Sequence, residues 1–302
     1  MKKILGLFLV GFVTVTSCDV VTEPYDNGGA GPGDEQYNDT VYNDTSVTKR
    51  RILLEEFTGH KCPNCPEGAD IATQITVDHP DDFISVSIHN SGAFSKVDTH
   101  DPDHPYPSDF ETEAGEKLRI KHQHSSFPGG MLNRSEFNGS VKVAYKKWAQ
   151  EVNSLLANQA YMLPRFKLKL ENVYNSKPGD RSIRVRYNAK CLQNVTGNIA
   201  IVGYVTESHI IAPQVDNRLS NSYVANYEHN HVLRVGFPGD GDGKTLFTNP
   251  TPGDIAKVIS ESDEISVTLS DDWKPENMHI IVFLFNSDTR EILQVEEVEL
   301  TN

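Results

Sequence analysis

Near residue 160 the hydrophobic pattern of the chain changes period, and the two sides of that change predict different architectures. Before it, Ile52-Leu53-Leu54-Glu55-Glu56-Phe57 reads as a strand, residues 66–77 as a helix, and Phe83-Ile84-Ser85-Val86-Ser87-Ile88 as a second strand with period two. A loop rich in Asp, His and Pro follows, then a helix around 110–120. Next come a turn into a short strand at Phe127-Pro128-Gly129-Gly130-Met131-Leu132 and a long amphipathic helix over 141–157. This alternation predicts a compact α/β layer structure over residues 49–160. From Met162 onward only strands are expected. Phe166-Leu168-Leu170, Ile183-Val185-Tyr187-Ala189, Ile265-Val267-Leu269 and Ile280-Val282-Leu284 each alternate with a second face, separated by turn signals such as Lys177-Pro178-Gly179-Asp180. They predict an all-β, immunoglobulin-like sandwich over 161–302. Cys191 continues the row of Ile183, Val185, Tyr187 and Ala189, as a buried small hydrophobe does. The irregular stretch 208–243 reads as a partner-contacting insertion.

Upstream of both regions the chain carries address signals. Lys2 and Lys3 precede an apolar run, Ile4 to Val15, too short to span a bilayer and laid out as a secretory signal peptide over residues 1–17. The run ends at Val15-Thr16-Ser17-Cys18, which resembles a bacterial lipobox. That resemblance implies a lipid on Cys18 and anchoring in the cell envelope. Residues 18–48 are rich in Asp, Asn, Gly, Pro, Thr and Tyr and cannot bury enough apolar surface to offset their ordering entropy, so they read as a flexible tether. Within the tether, Asp39-Thr40-Val41 resembles the Asp-Thr-aliphatic O-glycosylation acceptor of Bacteroidetes, with Thr40 as the modified residue; a plain solvated linker is the simpler reading of three residues. The net charge of −14 on 302 residues argues against nucleic acid as a partner, because such binding needs a basic face.

Chemistry concentrates in Gly59-His60-Lys61-Cys62-Pro63-Asn64-Cys65-Pro66-Glu67-Gly68, where a strand hands over to a helix. Two cysteines at this spacing put the first sulfur at a helix N-terminus, where unpaired N–H groups favour the thiolate. An exposed Cys62 then attacks a disulfide, and Cys65, one turn inside the helix, resolves the mixed disulfide. Pro63 suits the first helical turn. Two other readings stay open: a closed structural disulfide, natural in an oxidising compartment, and a metal site with His60. No second CxxC or His pair follows at finger spacing, so neither a metal nor a cofactor is expected.

The strand, Cys62-Pro63-Asn64-Cys65, the helix and the later Phe127-Pro128 resemble a thioredoxin fold, in which a cis-proline before a strand faces the cysteine pair. More closely, "LLEEFTGHKCPNCPEG" with "FPGGMLNR" is similar to the Omp28-related outer-membrane lipoproteins of Bacteroidetes. The resemblance implies an α/β thioredoxin-like domain followed by the β-sandwich, an outer-membrane location, membrane association through Cys18, and a catalytic set of Cys62, Cys65 and Pro128. Phe127 stands where thioredoxins carry Thr, Val or Ile, and Gly59-His60-Lys61 replaces their usual Trp.

The remaining histidines and acids carry less. His100-Asp101-Pro102-Asp103-His104 fits an exposed loop. His122 and His124 are candidates to lie beside the cysteines. Asp240-Gly241-Asp242-Gly243 starts like a calcium loop, but Lys244 and Thr251 fall at ligand positions, so it reads as a turn. His229-Asn230-His231 puts two imidazoles on one strand face without a third ligand. Two functions survive: thiol–disulfide exchange on envelope or secreted proteins, and a non-catalytic structural or binding lipoprotein that uses the fold as a scaffold.

Overall fold

Strand β1 (Ile52–Phe57) is buried along its whole length and organises the structure. The computed structural model describes residues 48–300, apart from 178, 180, 240 and 259–263. The expected signal peptide, Cys18 and Thr40 lie outside them. After β1 the chain forms α1 (Cys65–Asp78), β2 (Phe83–Ile88), α2 (Glu113–Lys121), β3 (Gly129–Leu132), β4 (Val143–Ala144), α3 (Trp148–Ala157) and α4 (Gln159–Met162). Eleven strands follow: β5 (Phe166–Asn175), β6 (Ser182–Cys191), β7 (Asn198–Glu207), β8 (Ile210–Val215), β9 (Tyr223–His229), β10 (Val232–Phe237), β11 (Lys244–Thr248), β12 (Ile255–Lys257), β13 (Ile265–Thr268), β14 (Met278–Asn286) and β15 (Ile292–Glu299).

The protein is mostly β. A nine-stranded sheet runs β15-β14-β7-β10-β2-β1-β3-β4, with β11 also on β7; β5, β6, β12 and β13 form a second sheet, and β8 and β9 pair as a hairpin. Strand β1 is parallel to β2 and antiparallel to β3. Leu53 and Phe57 face one core with Ala114 and Leu118 of α2. Ile52 and Leu54 face the other, with Ala72 and Ile75 of α1 and Trp148 and Val152 of α3. A strand covered on both faces is a continuous apolar run, which leaves Glu55 and Glu56 as the two exceptions to explain.

Two expectations are corrected. The helix expected over 141–157 starts only at Trp148, because Ala144 and Val143 pair with Gly129 and Gly130 and the Trp148 indole N–H donates to Val143 O at 3.1 Å. The boundary expected between 160 and 161 is crossed by one sheet, which takes strands from both sides of it. Strands β7, β10, β11, β14 and β15 join the sheet begun by β1 and β2, with Val232 of β10 beside Ser87 of β2, and the described residues belong to one compact unit. The physical reason lies in the central strands: both rows of β14, Ile280-Val282-Leu284 and Ile281-Phe283-Phe285, are buried, as in a sheet covered on both sides.

Candidate functional site

The loop between β1 and α1 brings Cys62 and Cys65 together as a disulfide with Cα atoms 5.4 Å apart. Cys65 is the first residue of α1 and Asn64 its N-cap, with proline in the first turn. Backbone bonds from Cys62 N to Gly59 O (3.0 Å) and Cys65 N to Cys62 O (3.2 Å) fold the loop tightly. Gly59 is required there: a Cβ would stand 2.2 Å from Ser91 Oγ and 2.8 Å from Phe94 O. His60 is buried, stacks on Tyr106 and contacts Lys96 O through Nε2; burial pushes its pKa down.

Cys62, expected to be exposed, is only 1% exposed, and Cys65 2%. The cover comes from the β8–β9 hairpin and the turn after β8. Val215 N donates to His60 O (2.8 Å), Gln214 Nε2 to Cys62 O (3.1 Å), and Asn217 N to Pro63 O (3.1 Å). Asn217 Nδ2 reaches Asn64 Oδ1 at 2.8 Å, and Arg218 pairs with Asp70 on α1. The stretch 208–243, expected to be irregular, is therefore built mainly of strands β8, β9 and β10 and closes over the cysteine loop.

The Phe127–Pro128 bond is cis, and Pro128 is buried. It packs on α1 at Gly68, where a Cβ would lie 3.0 Å from its ring; Gly68 follows Cys65 by one turn of helix. Phe127 meets Phe94 edge-on at 6.3 Å.

Behind the loop lies a cavity of about 250 Å³ lined by Glu56, Cys65, Ser87, His89, Gln214 and His229, among others. Cys62 does not line it. Because β1 alternates, Glu56 points to the α1 side with Ile52 and Leu54. Its Oε2 accepts from Ser87 Oγ at 3.5 Å while Oε1 has no partner, and burial pushes its pKa up to about 8, so it carries a proton at neutral pH. Burial also lowers His89 well below the usual imidazole value and His229 to about 4, so both rings are neutral. Glu55, one residue earlier, points the other way. Burial raises its pKa, but Arg134, donating at 2.7 and 2.6 Å, and Tyr204 at 2.8 Å outweigh burial and keep it ionised.

The other candidates fall at several places in the structure. His124 stacks on Phe57 at 4.0 Å, and the charge of Glu55 acts on His122; neither lines the cavity. His229 and His231 do line it. His100 and His104 are exposed and bound to Asp98 and Asp101. Gly241 and Gly243 take positive φ in a turn. Cys191 is buried and unpaired, its Sγ 2.8 Å from Gln193 O. Among the described residues no group of three or more His, Cys, Asp or Glu is arranged to hold a metal, and no helix is long and apolar enough to cross a membrane. The sequence reading missed Glu56, His89 and Gln214. Glu56 had a signal: two adjacent acids in an otherwise apolar strand cannot both reach water if the strand is covered on both faces.

Residues 116–302, more than half of the chain, match the family described as "Outer membrane protein Omp28"; the match begins after the cysteine pair. Among curated proteins none matches. HBP35 of Porphyromonas gingivalis shares the fold at 16% identity, with a TM-score of 0.59 over 84% of this chain and 76% of that one. A protein of Agrobacterium tumefaciens gives 12% identity and a TM-score of 0.46 over 85% of this chain and 97% of that one. A domain of the outer membrane lipoprotein Omp28 from Porphyromonas gingivalis gives 14% and 0.27 over 46% and 90%.

Proposed function

Because the chain belongs to the Omp28 family of outer-membrane proteins, we propose that it is a lipid-anchored envelope protein whose Cys62–Cys65 pair exchanges disulfides with envelope or secreted proteins. The observation that carries this reading is the pairing of Cys65 with a protonated, buried Glu56 in one cavity at the start of α1. The β1-α1-β2 unit, antiparallel β3 and the cis bond before Pro128 support a thioredoxin-like corner. In the reduced form the Cys62 thiolate attacks one sulfur of a substrate disulfide and expels the other as a thiolate. Glu56 releases its proton to solvent and takes that of Cys65, whose thiolate attacks the Cys62 sulfur, releasing the second substrate thiolate and closing the Cys62–Cys65 disulfide. The substrate gains two electrons and the protein loses two. Pro128, packed on the turn of α1 that carries Cys65, shapes the groove beside the pair.

Replacing Cys65 by Ser should trap mixed disulfides through Cys62 in the native envelope. If no thiol-dependent adducts form, and the purified protein exchanges no faster than a double-Ser control, the exchange reading is wrong. Burial of both sulfurs under the hairpin favours the second reading, a scaffold with an idle disulfide, and that null result would select it. The anchor is placed on Cys18, and Thr40 in the tether is the proposed O-glycosylation site. Lipid labelling that survives Cys18→Ala would refute the anchor, and an unchanged glycan after Thr40→Ala would refute the second site.

A further inference from the structure

The hairpin that covers the cysteine loop leaves a second way in. The cavity behind the disulfide has exposed residues at its rim, Asp70 and Thr73 from α1 and Glu228 and Asn230 from the end of β9, and buried Glu56, His89 and His229 among its walls. Of the two cysteines it touches only Cys65. Four buried polar atoms of its lining side chains have no protein partner: Glu56 Oε1, His89 Nδ1, His229 Nε2 and His231 Nδ1. The Glu56, His89 and His229 side chains are more than nine-tenths buried. Polar atoms buried without a partner are costly, and these belong to side chains that wall the cavity. At about 250 Å³ the space falls below the range of sites for drug-sized ligands, so its occupant is small.

The geometry points to a small-thiol site: a low-molecular-weight thiol the size of cysteine enters this cavity and reduces the disulfide by attacking Cys65 Sγ. The inference rests on the exchange reading above and supplies its reductant. The thiolate forms a bond to Cys65 Sγ and breaks the Cys62–Cys65 bond, and Cys62 leaves as a thiolate near the α1 N-terminus, where the helix stabilises it. A second thiolate attacks the small-molecule sulfur of the mixed disulfide and releases the small disulfide and the Cys65 thiolate. The carboxyl of Glu56 donates its proton to that thiolate and is reprotonated by one surrendered by a thiol. Two thiols are oxidised to one disulfide; the protein gains two electrons and one proton, and the second thiol proton goes to solvent. The hairpin bonds to Cys62, His60 and Pro63 explain the choice of sulfur, because a bulky protein thiol meets that cover while a small thiol reaches Cys65 from the other wall.

The test uses the oxidised full chain with L-cysteine, cysteamine and glutathione at equal thiolate concentrations, followed by acid quenching and fragmentation mass spectrometry. Cysteine and cysteamine should open the disulfide about tenfold faster than glutathione or more, since access enters the exchange rate directly, and the early adduct should sit on Cys65. An Ala69→Trp substitution in the cavity wall should abolish the advantage of the small thiols. Adducts on Cys62, or glutathione reacting as fast as cysteine, would overturn the small-thiol site even if Cys65→Ser still traps protein partners. If no thiol opens the pair and nothing is trapped, both the site and the exchange reading fall.

Discussion

Replacing Glu56 by Gln isolates the group on which the proposed chemistry turns. The folded carboxyl holds its proton up to about pH 8, against 4.5 for an ordinary glutamate. Between those values the unfolded chain binds fewer protons than the folded one, so stability is fully present below pH 4.5 and is lost as pH rises through about 8. Each pH unit in that window costs the folded state about 1.4 kcal/mol, so raising the pH from 5 to 8 costs about 4 kcal/mol. The substituted amide keeps the shape and a partner for Ser87 but does not titrate. Urea unfolding of both oxidised proteins at pH 5 and pH 8 should therefore show the variant gaining about 4 kcal/mol on the wild type across the window. The neutral histidines titrate identically in both proteins and cancel from the difference. A difference constant to within about 1 kcal/mol would refute the protonated Glu56 and the proton path to Cys65 with it.

Gln214→Ala removes the bonds to the Cys62 and Gly59 carbonyls; it should cost about 1–3 kcal/mol in urea unfolding and speed glutathione's attack on the disulfide, because the cover loosens. Arg134→Met strands the fully buried Glu55 carboxylate and should cost about 3–5 kcal/mol at pH 7, with much of that loss recovered by adding Glu55→Gln. On the acid side, the folded pKa of His122, His124 and His229 is about 4. Their contribution is present above pH 6.5 and lost as pH falls through 4, so Tm should drop between pH 6.5 and 4, and His124→Phe should flatten that fall if the reasoning holds.

The cysteine corner was legible because its signals are local: an apolar strand, a CxxC and a helical run lie within residues 52–78, and α1 and β2 fall within a residue of the expected bounds. The rows of β6 were equally readable, since β6 keeps Ile183, Val185, Tyr187 and Ala189 buried in alternation. What the sequence hid is long-range. Nothing in Ile210-Ile211-Ala212-Pro213-Gln214-Val215 identifies a partner some 150 residues upstream, because the contacts are backbone carbonyls of His60, Cys62 and Pro63, which any sequence supplies. The merging of the two regions into one sheet was hidden for a similar reason. It rests on Ser87 N meeting His231 O and on Val232 beside Ser87, a pairing of main chains whose side chains carry no mark of it.

That shared sheet decides how the cysteine pair can work. Strand β10 sits beside β2 and follows directly on the hairpin, so the cover over Cys62 is tied into the central sheet and does not hang from a free loop. The hairpin's hold on the cysteine loop consists of a few backbone and amide bonds, each worth about 0.5–1.5 kcal/mol net, whereas β10 is held by β7 along its length and by buried Val232, Leu233 and Phe237. Lifting the hairpin while β10 stays in place would put the bend at Asn230 and His231, where His231 takes a positive φ of 54°. His231 lies on the cavity wall as well. The same short segment thus bounds the space in which Cys65 and Glu56 meet and joins the covering hairpin to the sheet, so any protein substrate that reaches Cys62 must displace a neighbour of the cavity, while a small thiol need not.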